Sequence, residues 1–262
     1  MVSAVSNPAL EALVAHIAPE LIFGEVLLQA LPDGYALRHV EDRSARALQP
    51  VPLTGLRALA DFTEARQFRP LKSAPTLRQH WLCVVRTPAE LEDALQRLYP
   101  GGVADWYAAR QPHPPAVDYR DFTARQTGMY RVTTLLTDEQ VAQVARAGCH
   151  PKFCLKRRLW KVKGLPPETV AEKSQLACLE PCAVLLEFAR TAARVEQREK
   201  KNVPLSAEEL ASVAAALQQA LEVSRADRRE ADFSAPDNPR RLRLLLEKIQ
   251  PVLEMKDDNE KK

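Results

Sequence analysis

Four of the five cysteines in this chain fall in two short pairs, Cys149 with Cys154 and Cys178 with Cys182, a C-x4-C followed after 23 residues by a C-x3-C. Thiolates ligate soft and borderline metals, and two short loops carrying two thiolates each can surround one small inorganic centre from two sides. The spacing alone leaves three readings open. Short C-x2–4-C pairs are the habit of structural zinc, a four-thiolate set also holds an iron–sulfur cluster, and the four cysteines can be unligated. The common ferredoxin spacings are not matched, so the pattern is more specific for a metal site than for a particular metal. The fifth cysteine, Cys83, sits in the apolar run HWLCVVR and reads as a buried small hydrophobe.

Cations follow the first pair at once. The stretch CHPKFCLKRRLWKVKG, residues 149–164, carries Lys152, Lys156, Arg157, Arg158, Lys161 and Lys163 around Trp160. A four-cysteine centre holds net negative charge, which such cations offset. Lys152, Arg157, Arg158 and Trp160 are therefore expected to surround the centre, with the cations balancing its charge and Trp160 covering it from water. Read as a helix, the same segment could bind a phosphate backbone and stack Trp160 on a base. The other basic residues are dispersed among acids, so nucleic acid is not the expected partner. With four cysteines already completing a site, His150 is expected beside it rather than as a ligand. Arg125, Tyr130 and Arg131 in RQTGMYR could hold an anionic substrate, against the plainer expectation that they are solvated.

The elements that must position the cysteines can be read locally. TDEQVAQVARAG has Thr137 as N-cap, Gln140 at the capping-box position, Val141, Val144 and Ala145 on one face, and Gly148 where a left-handed C-cap would sit, so Cys149 falls just beyond a helix end. Pro181 marks a helix start that puts Cys182 in the first turn, where unpaired N–H groups and the helix dipole favour negative charge. Two amphipathic helices follow. The first has Leu210, Val213, Ala214, Leu217 and Leu221 behind a Ser206 cap, and the second has Leu242, Leu245, Leu246 and Ile249.

Upstream, FGEVLLQAL and GYALRHVED flank the turn signal PDG and predict a β-hairpin. A helix is expected at about 54–66 with Leu56, Leu59, Ala60 and Phe62 inward, then a buried strand at HWLCVVR and a helix opened by Thr87, Pro88 and Glu90. The prolines of ARQPHPPAVDYRD break the chain. The expected fold class is α+β: a small mixed N-terminal module over 1–115, a mainly α-helical four-cysteine domain over 116–203, a helical extension over 204–254 and a disordered tail over 255–262.

Composition excludes several classes. The 262 residues are 46% hydrophobic, and a net charge of +3 from 37 basic and 34 acidic residues announces neither a nucleic-acid nor a membrane partner. The N-terminal segment lacks a secretory pattern and no run approaches the roughly 18 apolar residues of a bilayer span, so a soluble, cytoplasmic protein is expected. In that reducing setting clustered cysteines are metal ligands or redox thiols rather than disulfides. No H-E-x-x-H, G-x-S-x-G, Walker or dinucleotide-binding motif occurs, and the eight glycines are scattered, so an enzyme acting by itself is not expected.

A resemblance narrows the choice of metal. DFTARQTGMYRVTTLLTDEQVAQVARAGCHPKFCLKRRLWKV, with EKSQLACLEPCAVLLEFAR behind it, resembles the [4Fe-4S]-binding domain appended to some bacterial CbiX-type sirohydrochlorin chelatases. PLKSAPTLRQHWLCV and LYPGGVADWYA are similar to the stabilising domain that precedes it there, and the likeness covers roughly residues 20–195. The resemblance implies that Cys149, Cys154, Cys178 and Cys182 ligate one [4Fe-4S] cluster, with zinc as the rival, in a redox or accessory role linked to tetrapyrrole or cobalamin metabolism. The G-H-G-S-type chelatase loop has no counterpart, and His16, His39, His80, His113 and His150 lie in unrelated contexts. The implied partners are therefore a separate chelatase or another tetrapyrrole-pathway enzyme, and a redox partner.

Overall fold

The structure is a computed structural model that describes residues 7–60, 77–169, 175–198, 203–223 and 237–257. Its elements run α1 (Pro8–His16), β1 (Glu20–Phe23), β2 (Val26–Leu31), β3 (Gly34–His39), β4 (Gln49–Pro50), β5 (Trp81–Val85), α2 (Pro88–Leu98), α3 (Gly102–Ala109), α4 (Tyr119–Ala124), α5 (Asp138–Gly148), β6 (Arg157–Arg158), β7 (Ala177–Cys178), α6 (Ala183–Glu196), α7 (Ala207–Val223) and α8 (Pro239–Asp257). Strands followed by helices give the α+β class. Compactness divides the chain into two interleaved units. One comprises Met1–Val117, Leu155–Trp160 and Pro167–Glu180, the other Asp118–Cys154, Lys161–Pro166 and Pro181–Lys262.

The first unit is built on a five-stranded sheet in the order β1-β2-β3-β5-β4, antiparallel except for the β4/β5 pair. PDG makes the expected hairpin, with Leu31 opposite Gly34 and only Pro32 and Asp33 in the loop. Gly34 is needed there: its φ is +146°, and an added Cβ would lie 2.1 Å from the Val85 carbonyl oxygen on β5. Val26, Leu27 and Leu28 are buried consecutively rather than alternately, the mark of strand residues covered on both faces. Helix α2 opens with the Thr87–Glu90 capping box and packs Leu91, Leu95 and Leu98 into the core with Trp81 and Trp106.

The helix expected at 54–66 is corrected over 54–60, and 61–66 lie outside the described residues. Residues Leu53–Leu59 form a 3₁₀ segment that ends at Ala60, whose backbone is extended and bridges Leu77. Pro52 at the cap position offers no side-chain hydrogen bond, and Gly55 is a weak helix former, so nothing local enforces the α form. Leu56, Leu59 and Ala60 are buried as expected, while Phe62 lies outside the described residues.

The second unit is helical. Helix α5 packs on α6 and α8, α7 on α8, and α6 on a 3₁₀ segment at Gly128–Leu135. The last two helices take up the apolar positions read from the sequence only in part. Ala214, Leu221 and Leu246 are buried with Phe153, whereas Val213 and Leu245 face solvent. Helix α8 continues to Asp257, so residues 255–257 are helical rather than part of a disordered tail, and 258–262 lie outside the described residues. Among the described residues no helix is long and apolar enough to cross a membrane.

Candidate iron–sulfur site

Cys149 is the C-cap of α5, its amide donating to the Ala145 carbonyl at 2.9 Å, and it is only 8% exposed. The capping box at Thr137 and Gln140 starts this helix as the sequence predicts. Gly148 has a different purpose from the expected one. It is the last helical residue rather than a left-handed cap, and a Cβ there would meet Leu185 Cδ1 at 2.9 Å and Phe188 Cδ1 at 3.1 Å. A hydrogen at this position lets the end of α5 approach the first turns of α6. Cys182 sits at the beginning of α6 as its N-cap, one residue earlier than the expected first-turn position, with Ala183 opening the helix.

Between Cys149 and Cys154 the chain makes one tight turn around His150. The amides of Phe153 and Cys154 both donate to the His150 carbonyl, at 2.8 and 3.0 Å, and the Lys152 amide donates to His150 Nδ1 at 3.2 Å. His150 is thus the brace of the turn, with its ring tilted on Phe153 at 5.9 Å between centroids. Phe153 is buried against α7 and α8. The Lys152 ammonium donates to the Leu221 carbonyl in the last turn of α7, where a cation complements the helix dipole.

The cationic run does not form the helix that phosphate binding would use: Arg157–Arg158 is a short strand, and no helix occurs over 149–164. Lys156, Arg158, Trp160 and Val162 are buried while Arg157, Leu159 and Lys161 are more exposed, a period of two. The backbone explains it: the Arg157 amide donates to the Leu176 carbonyl at 2.7 Å and the Leu159 amide to the Cys178 carbonyl at 2.9 Å, making the parallel β6/β7 ribbon. Arg158 is the register partner of Cys178, and in-register neighbours on adjacent strands project to the same face. Arg158 is 2% exposed; its guanidinium donates to the Trp160 carbonyl at 2.6 Å and lies 5.2 Å from the Trp160 ring centroid. Its amide donates to Glu168 Oε2 at 2.8 Å.

Arg157 is half-buried, and burial together with the nearby Arg110 charge holds its guanidinium below the ordinary arginine range. Lys156 pairs with Asp105 at 3.4 Å. Trp160 is fully buried, so its indole is closed to base stacking. Cys178 is 9% exposed, and its thiol donates to the Glu180 carbonyl at 3.2 Å.

Cys149, Cys154 and Cys182 thus belong to the second unit and Cys178 to the first. Among the described residues no three His, Cys, Asp or Glu side chains are arranged to hold a metal ion. The chemistry of the donors, thiols at a helix end, a tight turn, a strand end and a helix N-cap, is that of iron–sulfur or zinc ligands. Cys83 is apart from all of this. It is buried in β5, and burial, with a smaller effect from Glu90, pushes its thiol up. Arg125 donates to the Asp121 carbonyl at 3.1 Å on an exposed surface, and Arg131 is exposed as well.

Sequence reasoning missed Arg240, the buried residue at the start of α8 whose guanidinium reaches the carbonyls of Gly148 and Phe153, 92 and 87 residues away. No local signal marks such a contact. It also missed α1, which Asn7 and Pro8 announce as N-cap and first helical residue.

Residues 111–191 match the family model of a 4Fe-4S iron-sulfur cluster binding domain, and residues 7–110 match that of the DR2241 stabilising domain. The two matched regions adjoin at residues 110 and 111. Among solved structures it is similar to DR2241 from Deinococcus radiodurans, with 32% identity and a TM-score of 0.59 over 71% of this chain. That protein is described as multi-domain, with structural similarity to chelatases but also with two additional novel domains. This chain covers 41% of its length. No curated protein matches the chain.

Proposed function

We propose that the chain binds one [4Fe-4S] cluster through Cys149, Cys154, Cys178 and Cys182 and uses it to carry electrons for, or report oxidation state to, a metal-tetrapyrrole enzyme. One observation carries the reading: all four paired cysteines lie within the region matched by the cluster-binding family, and the buried Cys83 lies outside it. When bound, the cluster supplies one-electron chemistry. The protein's own residues hold it and set its charge environment. The four thiolates ligate it, and Arg158, in register with Cys178, places a fixed cation beside a thiolate ligand. Trp160 and Phe153 keep water from the loops that carry the ligands.

Ligation by four cysteines leaves no iron position open to substrate, which favours electron transfer or structural support over catalysis at the metal. The chelatase likeness of DR2241 supports a metal-inserting tetrapyrrole enzyme as the partner. The test is iron and acid-labile sulfide content of protein purified without oxygen, with an absorption spectrum before and after dithionite. About four irons and four sulfides per chain, with colour that bleaches on reduction, is the expected result. One zinc and no sulfide would replace the cluster by a structural zinc site.

A further inference from the structure

We propose that Arg240 is a positioning residue for the Cys149–Cys154 loop, and that through it the α7–α8 pair controls how firmly the cluster is held. This rests on the cluster reading above. Arg240 is 2% exposed. Its guanidinium donates to the Gly148 carbonyl at 3.3 Å and the Phe153 carbonyl at 3.1 Å, immediately before Cys149 and immediately before Cys154. One planar, forked donor thus spans the loop and ties both ends of it. The guanidinium also lies 5.2 Å from the Phe153 ring centroid.

Its place on its own helix makes this notable. Asn238 caps α8, its side chain accepting from the Arg240 amide at 3.0 Å, and Pro239 is the first helical residue, so Arg240 lies in the first turn. A cation there opposes the helix dipole, and burying a guanidinium costs further free energy. Neither cost helps α8. The loop carbonyls offset part of that cost. From the other helix, Lys152 of the same loop donates to the Leu221 carbonyl of α7. Both helices lie beyond residue 191, where the match to the cluster-binding family ends.

Arg240→Gln and Arg240→Lys in the full chain test the assignment with two readouts. The first is hydrogen exchange of the Phe153 and Cys154 amides in metal-free protein, and the second is the rate of iron loss to a chelator from reconstituted protein. In Arg240→Gln both amides should exchange faster and iron should be lost about tenfold faster or more, the usual scale for losing a residue that orients ligands. Arg240→Lys keeps the charge but not the fork and should fall between the two. If Arg240→Gln does not fold, Arg240→Lys decides the matter. Wild-type exchange and wild-type iron loss in the folded variants would overturn the proposal. If the wild-type chain takes up no iron and sulfide, the cluster reading fails, and the amide exchange still decides whether Arg240 positions the loop.

Discussion

The two cysteine-bearing segments are held by different means. Cys149 and Cys154 flank a turn whose closure draws on residues far along the chain: Arg240 on its carbonyls, Leu221 on Lys152, and Ala214 and Leu246 under Phe153. Cys178 and Cys182 depend on backbone geometry close at hand, a strand end paired to Leu159 and the N-cap of α6. Packing at a distance is lost by single side-chain changes, whereas a backbone ladder survives most of them. The first segment should therefore be the sensitive one.

Replacing a proposed ligand ignores this difference and sets its upper limit. Cys149→Ser and Cys182→Ser should each abolish or strongly reduce iron and sulfide content; a full complement of iron with unchanged visible absorbance in either would remove that residue from the ligand set. Phe153→Ala comes next. Truncating this buried ring should cost about 3 kcal/mol in chemical denaturation and loosen the first cysteine turn, because the cavity opens beneath it. A variant as stable as wild type would show that α7 and α8 do not support the loop.

Gly148→Ala should cost about 1–3 kcal/mol, since its Cβ would press on Leu185 at 2.9 Å and drive α5 from α6. It also introduces a better helix former, so an unchanged or raised melting temperature would mean that the contact relaxes freely. Cys83→Ala gives the control: a loss of about 1 kcal/mol from a small buried group, with iron content untouched. Any fall in iron would bring Cys83 into the site.

The smallest effect is a pH-dependent one. Hydrogen bonds from Arg120 and Lys163 hold the Asp138 carboxyl below the ordinary aspartate range. A lowered folded-state value means that the ionised form supports the fold at pH values above the unfolded aspartate pKa. That support is lost as pH falls through the lowered value. Asp138→Asn should therefore unfold slightly earlier than wild type at neutral pH, and the two melting curves should converge in acid. A gap that persists at the lowest pH would assign the effect to something other than the charge.

Much of this was legible locally. The Thr87 and Thr137 capping boxes, the PDG hairpin and the buried strand around Cys83 each depend on residues within a few positions of one another, and each forms as read. The cationic run carries no local signal that separates strand from helix. Its true period of two shows only when Lys156 and Arg158 are known to be buried, and burial of a cation is a tertiary fact. Gly148 follows the same logic. Its position after a helical pattern suggests a left-handed cap, and only the approach of Leu185 and Phe188 shows that space was the requirement.

By itself the sequence determined the chemistry available to this protein, four thiols in two pairs with cations beside them, and the caps and turns that start and stop the elements carrying them. Residue types and short spacings carry that information because capping and turn formation act over one helical turn or less. The tertiary structure alone decided which cations are buried, that Arg158 stands in register with Cys178, and that a guanidinium from α8 ties the turn between Cys149 and Cys154. Those contacts join segments with no shared local pattern, and only the packing of a whole core brings them together.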